Sequence, residues 1–199
     1  MSAVAGKRER TKASNRAAIL EAARDVFAEL GFDAATVRDI VRRTDLASGT
    51  FYNYFPDKES VLRALLEESA REWRRRVRAA RAEARTLEDF VGGGYRAFFS
   101  FIAADPTLFA VLRRNAPIIR GLVEDPMLGA GLDELLADLR SAMERGRMPP
   151  IDAEYMTAAM AGVGFEVGIR MVEREPVDVE GATAFATALF LGGIERMRA

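Results

Sequence analysis

Apolar side chains return every three or four residues along most of this chain, while sustained two-residue alternation and Asn-Gly or Asp-Gly hairpin signals are missing. Such spacing buries helical stripes rather than pleated faces, so the expected fold class is all-α. Ile19, Ala23, Val26, Phe27 and Leu30 mark a first helix that stops at Gly31. Val37, Ile40 and Val41 mark a short second one, and a third segment follows Asp45-Leu46-Ala47 to about Tyr54. Pro56-Asp57 opens a long helix with Leu62, Leu65, Leu66, Ser69, Trp73 and Val77 on one face. Thr86, Pro106, Pro117, Pro126, Pro149-Pro150 and Pro176 punctuate the remainder, giving about nine helices and no repeat period.

Composition then narrows the chemistry. At 199 residues, 49% hydrophobic and 30% charged, the chain can bury one large core or two small ones. Histidine and cysteine are both absent. That excludes a Ser-His-Asp triad, a Cys–His nucleophile, thiolate or imidazole metal sites, haem on histidine and any disulfide. The expectation is therefore no catalytic residue, no metal and no cofactor, with an enzyme built only on carboxylates as the surviving alternative. Met1 to Lys12 is polar and basic with no apolar segment behind it, unlike a signal peptide. The charge-free run from Gly181 to Ile194 has 14 residues, short of the roughly 20 that span a bilayer. A soluble cytoplasmic protein with no membrane partner is expected.

The formal net charge of −1 conceals a division. Residues 1–85 carry 18 basic and 13 acidic side chains, and residues 86–199 carry 11 and 17. A basic front and an acidic rear suggest that only the front meets a polyanion. Two solvated surfaces of different composition are the alternative.

The front contains the informative stretch, Thr36 to Lys58. Thr36 followed by Asp39 has the form of a capping box, starting a helix of about two turns. Thr44 to Ala47 makes a turn, and a second helix begins near Ser48. Phe51 and Phe55, four apart, share a face that packs inward. Ser48, Thr50, Tyr52, Asn53 and Tyr54 are left to project elsewhere. Hydroxyls, an amide and aromatic faces at the start of a short exposed helix suit a DNA major groove.

These residues resemble the TetR-type transcriptional repressors. The likeness is carried by Ala22-Ala23-Arg24-Asp25-Val26-Phe27-Ala28-Glu29-Leu30-Gly31-Phe32, by Thr36, and by Gly49-Thr50-Phe51-Tyr52-Asn53-Tyr54-Phe55-Pro56-Asp57-Lys58. It covers residues 14–62, about a quarter of the chain. It implies a three-helix DNA-binding domain, and a larger domain that binds a ligand and dimerises. The implied boundaries are a flexible basic arm over 1–13, a helix-turn-helix domain over 14–60 and a ligand and dimer domain over 61–199. Thr36 then matches a phosphate-contacting cap, and Ser48 and Thr50 match positions near base edges or backbone. Tyr52, Asn53 and Tyr54 match the DNA-facing cluster; the last position is often histidine in relatives, which leaves the partner atom of Tyr54 open. Gly49 admits close backbone approach, and Lys58 matches a lysine set against a phosphate. Lys7, Arg8, Arg10 and Lys12 would add phosphate contacts from the arm. Arg71, Arg74, Arg75, Arg76, Arg78 and Arg81 read as a solvated face on the long helix.

Two rear segments are dense in small residues, one with Ala158, Gly162 and Gly168, the other with Ala184, Ala188 and Gly192. Glycine within a helix costs about 1 kcal/mol against alanine, so close helix approach is the expected return. A four-helix dimer interface meets that need, as does tight packing within one subunit. Tyr95, Phe98, Phe99, Phe109, Leu112, Met127, Met156 and Met160 are candidates for an adaptable apolar pocket or for plain core. Glu166 and Arg170, four apart, form an exposed ion pair or polar anchors at the pocket rim. Arg113, with Arg114, would meet an anionic ligand group. The function expected is a homodimeric repressor that binds a near-palindromic double-stranded operator and is released by a small, largely apolar effector. A DNA-binding protein of the same fold without an effector is a further alternative.

Overall fold

The computed structural model describes the backbone of residues 2–122 and 126–197, and the side chains of 7–119 and 129–197. Ten α-helices run through the described residues, with no strand among them: α1 (Ser2–Glu29), α2 (Val37–Val41), α3 (Ser48–Phe51), α4 (Lys58–Glu83), α5 (Leu87–Ala103), α6 (Pro106–Arg114), α7 (Ala116–Leu122), α8 (Pro126–Glu144), α9 (Ala153–Val172) and α10 (Val179–Arg196). The all-α expectation is met, with one helix more than counted. No single described helix is long and apolar enough to cross a membrane.

The helices separate into two units, and the division differs from the one implied by the resemblance. Unit 1 takes residues 1–68 together with 107–122, and unit 2 takes 69–106 together with 123–199. In unit 1, Ile19, Ala23, Val26 and Phe27 of α1 are fully buried, as are Ile40, Phe51 and Leu62. Gly31 ends this stretch at φ 79°, the left-handed conformation that glycine adopts without a Cβ clash. Residues 7–12 do not form a separate arm. They are exposed turns of α1, in keeping with a run of alanine, arginine, lysine and glutamate that favours helix.

The segment 107–122 joins unit 1 through Asn115, a buried polar side chain. Its amide nitrogen donates to Val111 O at 2.7 Å and Phe27 O at 3.3 Å, and its oxygen accepts from Phe32 N at 2.6 Å. Phe109, Leu112 and Arg113 therefore belong to unit 1, with Phe109 buried and Arg113 exposed.

Unit 2 is arranged about α5, which starts in a Thr86–Asp89 capping box. The Tyr95 ring stacks on Phe99 and Phe190 with centroids 5.6 and 5.9 Å away. Its hydroxyl donates to Met160 O at 2.9 Å, and burial raises its pKa, so the phenol stays neutral. A Cβ on Gly168 would sit 2.6 Å from Ile102 Cδ1, so α9 approaches α5 closely there. The Trp73 indole lies across Gly131 of α8 in the same way: a Cβ on Gly131 would fall 2.0 Å from the ring. Gly131→Ala is accordingly expected to cost about 1–3 kcal/mol through overpacking. Urea unfolding checks this, and an unchanged midpoint would contradict the close approach.

Candidate nucleic-acid interface

The capping box is present as the sequence predicts. Thr36 N and Oγ1 donate to Asp39 Oδ2 at 3.0 and 2.5 Å, and Asp39 N donates back to Thr36 Oγ1 at 3.2 Å. The Thr36 hydroxyl proton is thus spent within the box rather than offered outward. Hydrogen bonds from the Thr36 side chain and backbone hold the Asp39 carboxyl below its ordinary pKa of 3.8. A depressed carboxylate pKa contributes stability that is present above 3.8 and lost as pH falls through the lower folded value. Asp39→Asn is expected to remove that part of the acid-limb pH dependence, as read from melting temperatures of both proteins across that range.

Behind the turn, Phe51 and Phe55 are buried with ring centroids 6.2 Å apart, and they hold α3 against unit 1. Ser48, Gly49, Tyr52 and Asn53 are exposed, and Thr50 is half-buried. Tyr52 is 58% exposed, with its ring packed edge-on to Phe51 at 5.4 Å. A Cβ on Gly49 would meet nothing within 4 Å, so its backbone lies open. Tyr54 is half-buried, and its phenol oxygen accepts from Asn15 Nδ2 at 3.2 Å. That anchor on α1 positions the ring and leaves the phenol proton free to donate, a partner the sequence did not suggest.

Lys58 departs from expectation. Its ammonium donates to Phe32 O at 2.6 Å, Ala35 O at 2.9 Å and Asp33 O at 3.3 Å, and sits 4.4 Å from the Phe32 ring centroid. An ammonium has three donors, and all three close the α1–α2 loop. The phosphate role is corrected to a structural one.

The rear candidates divide. Tyr95, Phe99, Met156 and Met160 are buried in unit 2 and Phe98 is half-buried, while the Met127 side chain lies outside the described residues. Glu166 and Arg170 are exposed, and Arg170 pairs with Glu173 at 3.0 Å instead of with Glu166. Both line an open groove of about 390 Å³ with Met171, Arg174 and Phe185. Gly168 is buried against Ile102, which corrects its assignment to the dimer interface. Ala158, Gly162, Ala184, Ala188 and Gly192 are exposed, and a Cβ on Gly162 or Gly192 would meet nothing within 4 Å. Tyr155, Phe185 and Leu189, at 78%, 61% and 50% exposed, extend this face. Arg74 and Arg81, read as part of a solvated face, keep only 15% and 14% side-chain exposure.

A capped helix, a turn and a short helix with an outward polar and aromatic face form a helix-turn-helix head on an all-helical chain. Residues 19–65 match the family model of bacterial regulatory proteins, tetR family. The HTH-type transcriptional repressor Rv1474c of Mycobacterium tuberculosis is 32% identical over 130 residues, covering 65% of this chain and 63% of that protein. The chain thus matches less than two thirds of that relative's length. The fatty acid degradation regulator FadR from Bacillus halodurans superposes with TM-score 0.79 at 26% identity, covering 90% of this chain and 95% of that one. FadR from Bacillus subtilis, in complex with stearoyl-CoA, superposes with TM-score 0.77 at 24% identity over 89% and 98% of the two chains. Residues 19–65 thus carry a tetR-family segment, and the chain is similar to TetR-family transcriptional regulators.

Proposed function

We propose that this protein is a homodimeric transcriptional repressor that binds a near-palindromic operator and is released by an effector with a long apolar chain. The observation that carries the reading is the outward face of α3 and the turn after it, where Ser48, Tyr52 and Asn53 stand in solvent over a buried Phe51–Phe55 base. Side chains of this kind reach base edges and phosphate oxygens in a major groove. Lys7, Arg8, Arg10 and Lys12 on the exposed turns of α1 supply positive charge for the DNA backbone.

Dimerisation is assigned to the exposed face of α9 and α10. Gly162 and Gly192 incur the helical penalty of about 1 kcal/mol each, while a Cβ on either would meet nothing within 4 Å among the described residues. A second copy laid against Tyr155, Phe185 and Leu189 would use the flat surface they leave. Two recognition helices would then address successive grooves about 34–36 Å apart. The effector class is supported by the fatty acid regulator from Bacillus halodurans and by stearoyl-CoA in the Bacillus subtilis one. Effector and operator would weaken each other by the same factor.

A gel shift on the DNA upstream of the protein's own reading frame tests the proposal. A retarded complex that competes with operator but not with random DNA, and dissolves on adding an acyl-CoA, is the expected result. Equal affinity for operator and random sequence at physiological salt overturns it.

A further inference from the structure

Three N–H donors on α4 of unit 2 are buried without a hydrogen-bond partner: Trp73 Nε1, Arg74 Nε and Arg81 Nε. Each such donor gives up its hydration without return, and three on one helix form a pattern that a core of this size seldom tolerates. They lie where α4 meets both α8 and α5. Trp73 lies on Gly131, Arg74 and Arg78 approach Glu134 at 4.0 and 2.6 Å, and Arg81 reaches Asp138 at 3.1 Å. Among the described residues, the guanidinium groups of Arg74, Arg78 and Arg81 thus face the carboxylates of Glu134 and Asp138, three positive charges against two. The Phe98 ring packs edge-on to Trp73 with centroids 6.1 Å apart, and the Phe90 ring lies 5.4 Å from the Arg81 guanidinium.

All three orphaned groups are donors, so what completes them must be a cluster of acceptors. The excess charge asks that it be negative, and the aromatic lining asks that it be attached to an apolar body. We infer that this junction of α4 with α8 and α5 is the recognition site for the oxyanion head of the effector, with Trp73, Arg74 and Arg81 as its donors. This rests on the reading of unit 2 as the effector-binding part. A fatty acid carboxylate and the phosphates of an acyl-CoA share the required chemistry. Arg74 and Arg81 stand seven residues apart, two turns on one face. A head with several oxyanions engages both, and a single carboxylate engages one.

Calorimetric titration of the full chain, without DNA, with palmitate, palmitoyl-CoA and hexadecanol tests this. Trp73 is the only tryptophan, so its emission gives a second readout in the unaltered protein. One or both anions are expected to bind and to change Trp73 emission, with hexadecanol at least about tenfold weaker. Arg74→Lys and Arg81→Lys keep the charge but lose the Nε donor. For palmitoyl-CoA each is expected to lower affinity about tenfold, and for palmitate only one of them. Trp73→Phe keeps an aromatic ring but removes the Nε1 donor and is expected to weaken the bound anion likewise, so the inference stays testable if an arginine variant misfolds. Hexadecanol binding as tightly as the anions, no anion binding, or affinity unchanged in all three variants overturns the site. Because no DNA is present, loss of this site and failure of the repressor reading give separate results.

Discussion

Replacing Tyr52 and Asn53 together by alanine is expected to lower operator affinity by about two to four orders of magnitude, from roughly 1–3 kcal/mol for each side chain that reads a base. Both side chains are exposed, so their removal leaves little void. The Tyr52 ring touches Phe51 only edge-on, and Phe51 keeps its own contact with Phe55. The variant should therefore melt near the parent temperature and elute at the same size. Fluorescence anisotropy on operator and random DNA separates the two kinds of loss. Specific affinity collapses towards the non-specific level, while the non-specific term, set by charge, stays put. Retention of parental operator affinity would show that another face reads the bases.

Lys58→Met has the opposite signature. The ammonium closes three carbonyls of residues 32–35, and the variant leaves them without a donor. Hydrogen bonds to a charged group contribute about 1.5–3 kcal/mol each when buried. For this half-buried cluster a total loss of about 2–4 kcal/mol is expected, read from the denaturant midpoint. Once corrected for the folded fraction, the slope of log affinity against log salt should not change. A lysine that neutralised a phosphate would instead reduce that slope by about one. A stable Lys58→Met protein with a reduced slope would restore the phosphate role.

The contrast between these residues shows what a linear sequence discloses. The Thr36–Asp39 box, the stop at Gly31 and the inward pair Phe51 and Phe55 all depend on neighbours within four residues, and each is found where its spacing put it. Lys58 depends on carbonyls 23 to 26 residues away, brought to it only by folding. Arg74 and Arg81 sit in a helix so rich in arginine that its pattern reads as solvated throughout, and tertiary packing, with α5 as well as α8 against Arg81, buries them. The glycines of α9 were separable in principle. At 100° per residue Gly162 and Gly168 stand about 120° apart around the helix, so one could not share the outer face with the other. One is open and the other is pressed on Ile102.

The Asn115 clamp bears on how such proteins can be recombined. A breakpoint placed after α4 would leave behind residues 107–122, and with them the amide that satisfies Phe27 O and Phe32 N. Chimaeras that graft unit 1 onto a foreign second unit must therefore transplant two separate pieces of chain. Natural exchange of unit 2 by a single crossover meets the same obstacle, so the two units are expected to diversify by point substitution more readily than by exchange.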